Sequence, residues 1–223
     1  MNKAIAVIIL VLLVAGGIYF FSRTTDTNPT PSSTATSTTT SATSTPTPTP
    51  ISGTGKVLIE ITDKAADMTA VSEVQMTLSK VELHSQAKGW MTITTESNTF
   101  KLLALKSSGH LQFAGEASIS AGVYDQVKLT IDNVIVKTKA GTSKTAKLPG
   151  KTFTVITNMM VNGRQTSSAK IDIMADKSLH TTTTGEYVFA PTAETETRSN
   201  VTASVDSHDV VTTSGGTVTG TTK

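Results

Sequence analysis

The chain has 223 residues, a formal net charge of +2 at pH 7 and no cysteine. The lack of cysteine excludes disulfide bonds, thiolate metal sites, thiol nucleophiles and a lipidated cysteine anchor. The small net charge gives no general affinity for nucleic acid, so any electrostatic site must come from the local distribution of charges.

The first segment, residues 1–23, predicts a transmembrane anchor. Residues 4–21 read AIAVIILVLLVAGGIYFF and carry no charge. As a helix they would span about 27 Å, close to the hydrocarbon thickness of a bilayer. A cleaved signal segment ending near 14–16 is the alternative, but the apolar run continues into aromatic residues that suit the headgroup region. We therefore expect a single-pass protein of the cell membrane whose C-terminal domain lies outside the cytoplasm.

Two polar segments flank the middle of the chain. Residues 24–54 are rich in Thr, Ser and Pro and lack the apolar side chains that offset the entropy of ordering, so they predict a disordered stalk. The stalk composition fits either an O-glycosylated spacer or an unmodified one. Residues 194–223 are polar, Thr-rich and interrupted by Gly, which predicts a second disordered segment.

Residues 55–193 predict an all-β domain, because short apolar runs with period two recur between turn residues. This pattern favours an antiparallel, immunoglobulin-like or prealbumin-like β-sandwich. The apolar phase slips within 71–84, which predicts a β-bulge near Ser79 and Lys80. Helix is expected only as short pieces, at 64–69 and near 102–105.

Two aromatic residues invite structural predictions. Tyr124 begins a strand just after Gly122, which predicts a tyrosine corner, with the ring in the core and the hydroxyl bonded to upstream backbone. Trp90 follows Gly89 and is interpreted as a core residue because its neighbours are apolar. An exposed stacking platform for a sugar is the alternative for Trp90.

Several short motifs follow one another along this domain: Thr62-Asp63 with Ala65-Ala66-Asp67, Val81–His84, Gly89-Trp90, Phe100–Leu105, Ala121–Leu129, and Ala175–Leu179 with Gly185–Tyr187. Taken in order, they resemble an uncharacterised family of bacterial and archaeal surface domains that are often found on lipoproteins. The resemblance covers about residues 55–193 and implies a prealbumin-like or carboxypeptidase-regulatory-like sandwich at the cell surface, with no established activity. The sequence departs from the family in lacking a lipobox cysteine and in having Lys64-Ala65 where an Ala-Pro pair is commoner.

Enzymatic chemistry is not expected. The chain has no Gly-x-Ser-x-Gly elbow, no phosphate-binding Gly loop and no His-x-x-x-His spacing. His84 and His180 could meet Asp63 or Asp176 across strands to form a small metal site, but strand-end histidines are more commonly surface groups. We predict no catalytic, cofactor or metal residues.

The clearest charge feature is a basic segment without Asp or Glu between 133 and 171. Five of its lysines surround a predicted hairpin, where they are candidate polyanion contacts or charges that block edge-to-edge pairing. Interleaved aromatic residues are nearly absent, which argues against a nucleic-acid surface. The candidate contacts are Lys137, Lys139, Lys144, Lys147 and Lys151.

The sequence thus predicts a membrane-anchored display or binding module of unknown ligand. One alternative is a polyanion- or glycan-binding domain of the cell envelope, which would use the basic hairpin or an exposed Trp90. Another is a filament or adhesin subunit. Expected partners are the membrane and a cell-wall polymer, a glycan or another surface protein.

Overall fold

A computed structural model describes residues 49–65 and 67–223. The predicted anchor, and the stalk up to residue 48, lie outside these residues. In the described part, no helix is both long enough and apolar enough to cross a bilayer. The elements of the described part are β1 (Thr54–Thr62), β2 (Val71–Ser85), β3 (Gly89–Thr94), β4 (Asn98–Lys101), α1 (Leu102–Ser108), β5 (Leu111–Ser120), β6 (Gly122–Thr138), β7 (Ser143–Thr145), β8 (Thr152–Val161), β9 (Thr166–Ile173), α2 (Ala175–Ser178), β10 (Leu179–Thr181), β11 (Tyr187–Phe189), β12 (Ala193–Val205) and β13 (Val210–Thr222).

The strands form two main sheets. The first is antiparallel, in the order β3-β2-β6-β7, with β4 also paired to β2 and β8 also paired to β6. The second closes on itself in the order β1-β5-β13-β12-β9. Its β1–β9 pair is parallel, which differs from the antiparallel arrangement predicted. The all-β class is confirmed, with strands in mixed sheets and only short helices.

Apolar side chains from both sheets form one hydrophobic cluster. In β1, Val57, Ile59 and Ile61 are fully buried in it, as expected for alternate residues that share one face of a strand. From β2 and β6 the cluster takes alternate Val, Leu, Ile and Met side chains. A single core between layers is the usual way in which a sheet buries its apolar face.

The local predictions for β2, β6 and α1 are confirmed. The register of β2 against β6 shifts between Leu78 and Lys80, where the bulge was predicted. The Tyr124 hydroxyl donates to the carbonyl oxygen of Ser120 at 2.8 Å, as in a tyrosine corner. Helix α1 begins at Leu102, but residues 64–65 and 67–69 are not helical, and α2 was not predicted.

The prediction of a disordered tail at 194–223 is wrong, because β12 and β13 complete the closed sheet. On β12, the positions on the face that packs against β8 are occupied by Thr195, Thr197 and Ser199, all buried. The hydroxyls of Thr195 and Thr197 each donate at 3.1 Å to a backbone carbonyl of β8, that of Ile156 or Asn158. The strand therefore buries threonines with satisfied hydroxyls, and a search for alternating aliphatic residues misses it.

Candidate functional site

Trp90 is exposed, and the prediction that it lies in the core is wrong. The structure leaves 40% of its surface accessible, on the edge strand β3. The buried member of β3 is Ile93, at a register shift against β2 between Val81 and Glu82. Trp90 pairs directly with His84 of β2, so both side chains lie on the outer face of the first sheet.

Two cationic or aromatic side chains hold the indole ring against the sheet. The Nζ of Lys128, on β6, lies 3.9 Å from the Trp90 ring centroid, which is a cation–π geometry. The imidazole of His84 lies 4.9 Å from the indole, between centroids, with the planes tilted by 53°. The same imidazole is held by Asp125, since His84 Nδ1 lies 2.6 Å from Asp125 Oδ1. The ammonium covers one face of the indole, and much of the residue remains accessible.

The carboxylate of Glu82 lies between two lysines and adds a further charged group near the indole. Glu82 Oε1 accepts from Lys80 Nζ at 2.8 Å, and Glu82 Oε2 pairs with Lys128 Nζ at 2.9 Å. The hydrogen bond from Lys80, together with Lys128, holds the pKa of Glu82 below its ordinary value. The carboxylate therefore stays ionised and fixes Lys128 beneath the indole. We call the surface formed by Trp90, His84, Glu82, Asp125 and Lys128 the Trp90 face.

A groove adjoins the Trp90 face at one end of the sheet. It has a volume of about 340 Å³ and lies between the β2–β3 turn and the start of β6. Asp125 lines this groove and also holds His84. Val123, another lining residue, is 42% exposed, which is high for an aliphatic side chain. The groove and the indole are therefore linked through a single carboxylate.

Sequence reasoning singled out Trp90 and His84 but missed Glu82, Asp125 and Lys128. Glu82 and His84 alternate along β2, which is a period-two signal for one solvent-facing side. The partners on β6 carry no such signal, because their proximity depends on the pairing of β2 with β6. Asp125 is 41 positions from His84 in the chain.

The five predicted lysine contacts do not form one surface, and only some of them lie around the turn from β6 to β7. Lys137 pairs with Ser143, and Lys144 pairs with Val136. Because Val136 and Lys137 are consecutive in a strand, Lys137 and Lys144 lie on opposite faces. Lys144 Nζ also donates to the carbonyl oxygen of Gly185 at 3.2 Å.

The remaining lysines of this group are separated further. Lys147 Nζ pairs with Glu186 Oε2 at 2.9 Å, on the neighbouring β10–β11 hairpin. Lys139 and Lys151 are exposed. The positive charges are thus divided between faces and partly neutralised, which weakens any concentrated field.

The structure does not bring His84 and His180 together with Asp63 or Asp176 at a metal site. Among the described residues, no group of three or more His, Asp or Glu side chains is placed to hold a metal ion. His84 is bonded to Asp125, and His180 is exposed on β10.

Asp63 instead forms a buried carboxylate at the end of β1. Its Oδ1 accepts from the backbone N–H of Ala65 at 2.7 Å and of Ala175 at 3.4 Å. Within the described residues its Oδ2 has no hydrogen-bond partner. Burial, with added repulsion from Asp172 and Asp176, raises the pKa of Asp63 to about 6.

A family model described as "Domain of unknown function (DUF4382)" matches residues 54–191. No curated protein and no solved structure matches the chain. The match confirms the resemblance to an uncharacterised domain family, over nearly the same residues as predicted. It carries no fold description, so the prealbumin-like assignment stays a prediction.

Proposed function

The chain belongs to the DUF4382 family of domains of unknown function, and we propose that it is a cell-surface binding module that takes a glycan on the Trp90 face. The observation that carries this proposal is the exposure of Trp90 among fixed charged groups. A sugar ring has one apolar C–H face and a rim of hydroxyls. The indole offers a flat apolar surface on which the C–H face can stack. The charged side chains around it offer hydrogen bonds to the hydroxyls.

The side chains around the indole are suited to rigid recognition. Lys128 is fixed by Glu82, and His84 by Asp125. Because these contacts already exist without ligand, binding costs little ordering of side chains. A longer glycan would continue from Trp90 into the adjoining groove, past Asp125, whereas a single sugar would contact the indole alone.

We propose the same setting for the protein as the sequence predicts. The uncharged segment at 4–21 would anchor the chain in the cell membrane, and the Thr/Ser/Pro-rich stalk would hold the binding domain away from the surface. We propose a prealbumin-like sandwich as the finer fold class. In keeping with the sequence, we propose no catalytic role.

The Trp90 face supports this function better than the two alternatives. The lysines of the basic hairpin lie on different faces, so polyanion capture there lacks a continuous surface. A filament or adhesin subunit would use an unpaired strand edge; each strand of the closed sheet has two neighbours, which leaves edges of the first sheet, such as β3 and β8, for that role.

The chain offers a direct probe of the proposed site, because Trp90 is its one tryptophan. We would screen the full-length chain on a glycan array and then titrate the strongest soluble oligosaccharide while recording tryptophan fluorescence. Binding on the Trp90 face is expected to change the emission in a saturable way. The affinity is expected to fall by about tenfold or more in Trp90→Ala, since stacking on an aromatic ring contributes about 1–3 kcal/mol.

Matched variants test whether the glycan binds on the Trp90 face or on the basic hairpin. Val218→Ala removes another exposed apolar side chain, 47% accessible on β13, and is expected to bind like the wild type. Alanine at Lys137, Lys139, Lys144 and Lys147 is also expected to leave affinity unchanged. Loss of binding in this lysine variant, with steep dependence on salt, would instead assign binding to the basic hairpin. Glycan binding that Trp90→Ala leaves intact would contradict the proposal.

A further inference from the structure

The closed sheet contains a polar cavity that the proposed function does not use. The cavity has a volume of about 240 Å³, and all five strands of the closed sheet contribute to its lining. A space lined by every strand of a closed sheet must lie inside it. In β1 this follows from alternation: Ile59 and Ile61 face the apolar core, so Glu60 between them faces the cavity.

Strand β1 presents Glu60 to the cavity. The residue is 1% exposed, and its Oε1 accepts a 2.5 Å hydrogen bond from the hydroxyl of Thr213. Within the part of the chain that the structure describes, Glu60 makes no ion pair. Burial raises its pKa, against the hydrogen bond from Thr213 and the charges of Lys170 and Arg198. A buried carboxylate with one neutral partner can still accept from a ligand cation.

The adjacent strands β9 and β12 carry two cations that share one carboxylate, and Lys170 is the register partner of Glu60 on one side and of Glu196 on the other. Glu196 Oε1 accepts from Arg198 Nε at 2.8 Å, and Glu196 Oε2 lies 3.3 Å from Lys170 Nζ. Arg198 Nη1 also donates to the carbonyl oxygen of Gly215 at 3.2 Å. A guanidinium has five N–H donors and an ammonium has three, so both retain donors for an anionic group. Lys170 and Arg198 are partly exposed, which makes the cavity accessible from solvent.

A polar cavity of this kind contributes less to the stability of the fold than an apolar core would. Charged side chains in partly buried positions lose hydration, and apolar side chains of similar volume are often equally or more stabilising. The cavity also depends on residues beyond the family match, which ends at 191, whereas β12 begins at Ala193. The last two strands, β12 and β13, contribute Glu196, Arg198 and Thr213 to the cavity.

We propose that this cavity is a second ligand site, which binds a small zwitterion with its ammonium group on Glu60 and its anionic group on Lys170 and Arg198. Adjacent strands present complementary groups to the cavity: an acceptor, Glu60, on β1, and two cations that share the carboxylate of Glu196 on β9 and β12. The volume suits a molecule of amino-acid size. The site lies in the sheet that does not contain Trp90, so it is independent of glycan binding.

The test titrates the isotope-labelled full-length chain with glycine, β-alanine and 4-aminobutyrate, while amide chemical shifts are recorded. From glycine to 4-aminobutyrate, the distance between the ammonium and the carboxylate of the probe increases. At least one is expected to bind saturably and to shift amides of β1, β9, β12 and β13. Acetate and methylammonium, which carry one charge each, are expected to bind at least about tenfold more weakly, because each lacks one charge-assisted contact.

Two variants and one control locate the binding. Glu60→Gln keeps the shape of the side chain and Lys170→Met keeps its length, and each is expected to raise the Kd by about tenfold or more. Trp90→Ala is expected to leave the Kd unchanged. The proposal is overturned if none of the three zwitterions binds saturably, if acetate or methylammonium binds as well as they do, or if both cavity variants bind like the wild type.

Discussion

The hydroxyl of Tyr124 donates a 2.8 Å hydrogen bond to the carbonyl oxygen of Ser120 across the turn between β5 and β6. The Tyr124 ring is fully buried in the core, and burial raises the pKa of its hydroxyl. The group therefore remains a protonated donor at neutral pH. The contact ties the start of β6, in the first sheet, to the end of β5, in the closed sheet.

Tyr124→Phe is expected to lower the free energy of unfolding by about 1 kcal/mol, because it removes one hydrogen bond and leaves the ring in place. Urea denaturation of the full-length chain measures this difference. Tyr187→Phe, at a partly exposed ring, is the control and should change stability by less than about 0.5 kcal/mol. Equal stability of Tyr124→Phe and the wild type would show that the corner contributes nothing net.

Asp63→Asn is expected to stabilise the protein at pH 7 and to lose this advantage in acid. The pKa of Asp63 rises from 3.8 to about 6 on folding, which corresponds to about 3 kcal/mol. Because the folded state binds the proton more tightly, this cost is full above pH 6 and disappears as the pH falls towards 4. The measurement is the difference in unfolding free energy between variant and wild type at pH 7 and pH 4.5.

Asp67→Asn provides the control for this pH dependence. Asp67 is exposed and bonded to Lys106, which lowers its pKa, so it titrates below the tested range. Its difference from the wild type should be nearly constant between pH 4.5 and pH 7. A difference for Asp63→Asn that is equally constant would mean that the buried carboxyl has an ordinary pKa.

Removal of residues 193–223 is expected to destabilise the domain severely. The deleted strands bury Val201 and Val211, which alone account for at least about 3 kcal/mol, and they also close the sheet. Thermal unfolding followed by circular dichroism measures the loss. Deletion of Lys223 alone is the control. An unchanged Tm in the longer deletion would restore the original prediction of a disordered tail.

Gly55→Ala is expected to lower the free energy of unfolding by about 2 kcal/mol or more. A Cβ at Gly55 would overlap the carbonyl oxygen of Asn162, and a backbone atom cannot move aside as a side chain can. Gly150→Ala is the matched control, because the nearest atom to its Cβ would be 3.9 Å away. Chemical denaturation of both variants tests whether the close approach of the two segments is real.

The sequence was sufficient to predict features that depend on neighbours along the chain. Alternating aliphatic residues predicted the central strands, and a slip in that alternation predicted the bulge at 78–80. The glycine before Tyr124 predicted the corner. Each of these follows from side-chain period and local backbone geometry.

Features that depend on pairing between distant strands could not be predicted. Trp90 is exposed because of the register of β3 against β2, and apolar neighbours such as Met91 gave the wrong interpretation. His84 and Asp125 meet only because β2 pairs with β6. The tail strands use threonine where aliphatic residues were sought, so their amphipathic character is visible only once β8 supplies carbonyl partners.

The position of β1 determines how the domain would respond to a pulling force. It follows the predicted stalk directly, and it is hydrogen-bonded along its length to β5 on one side and to β9 on the other. Tension transmitted through a tether would therefore load two ladders in shear at once, since many bonds must break together before the strand can slide. A receptor on an extended stalk would in this way keep its fold while its ligand drags on it.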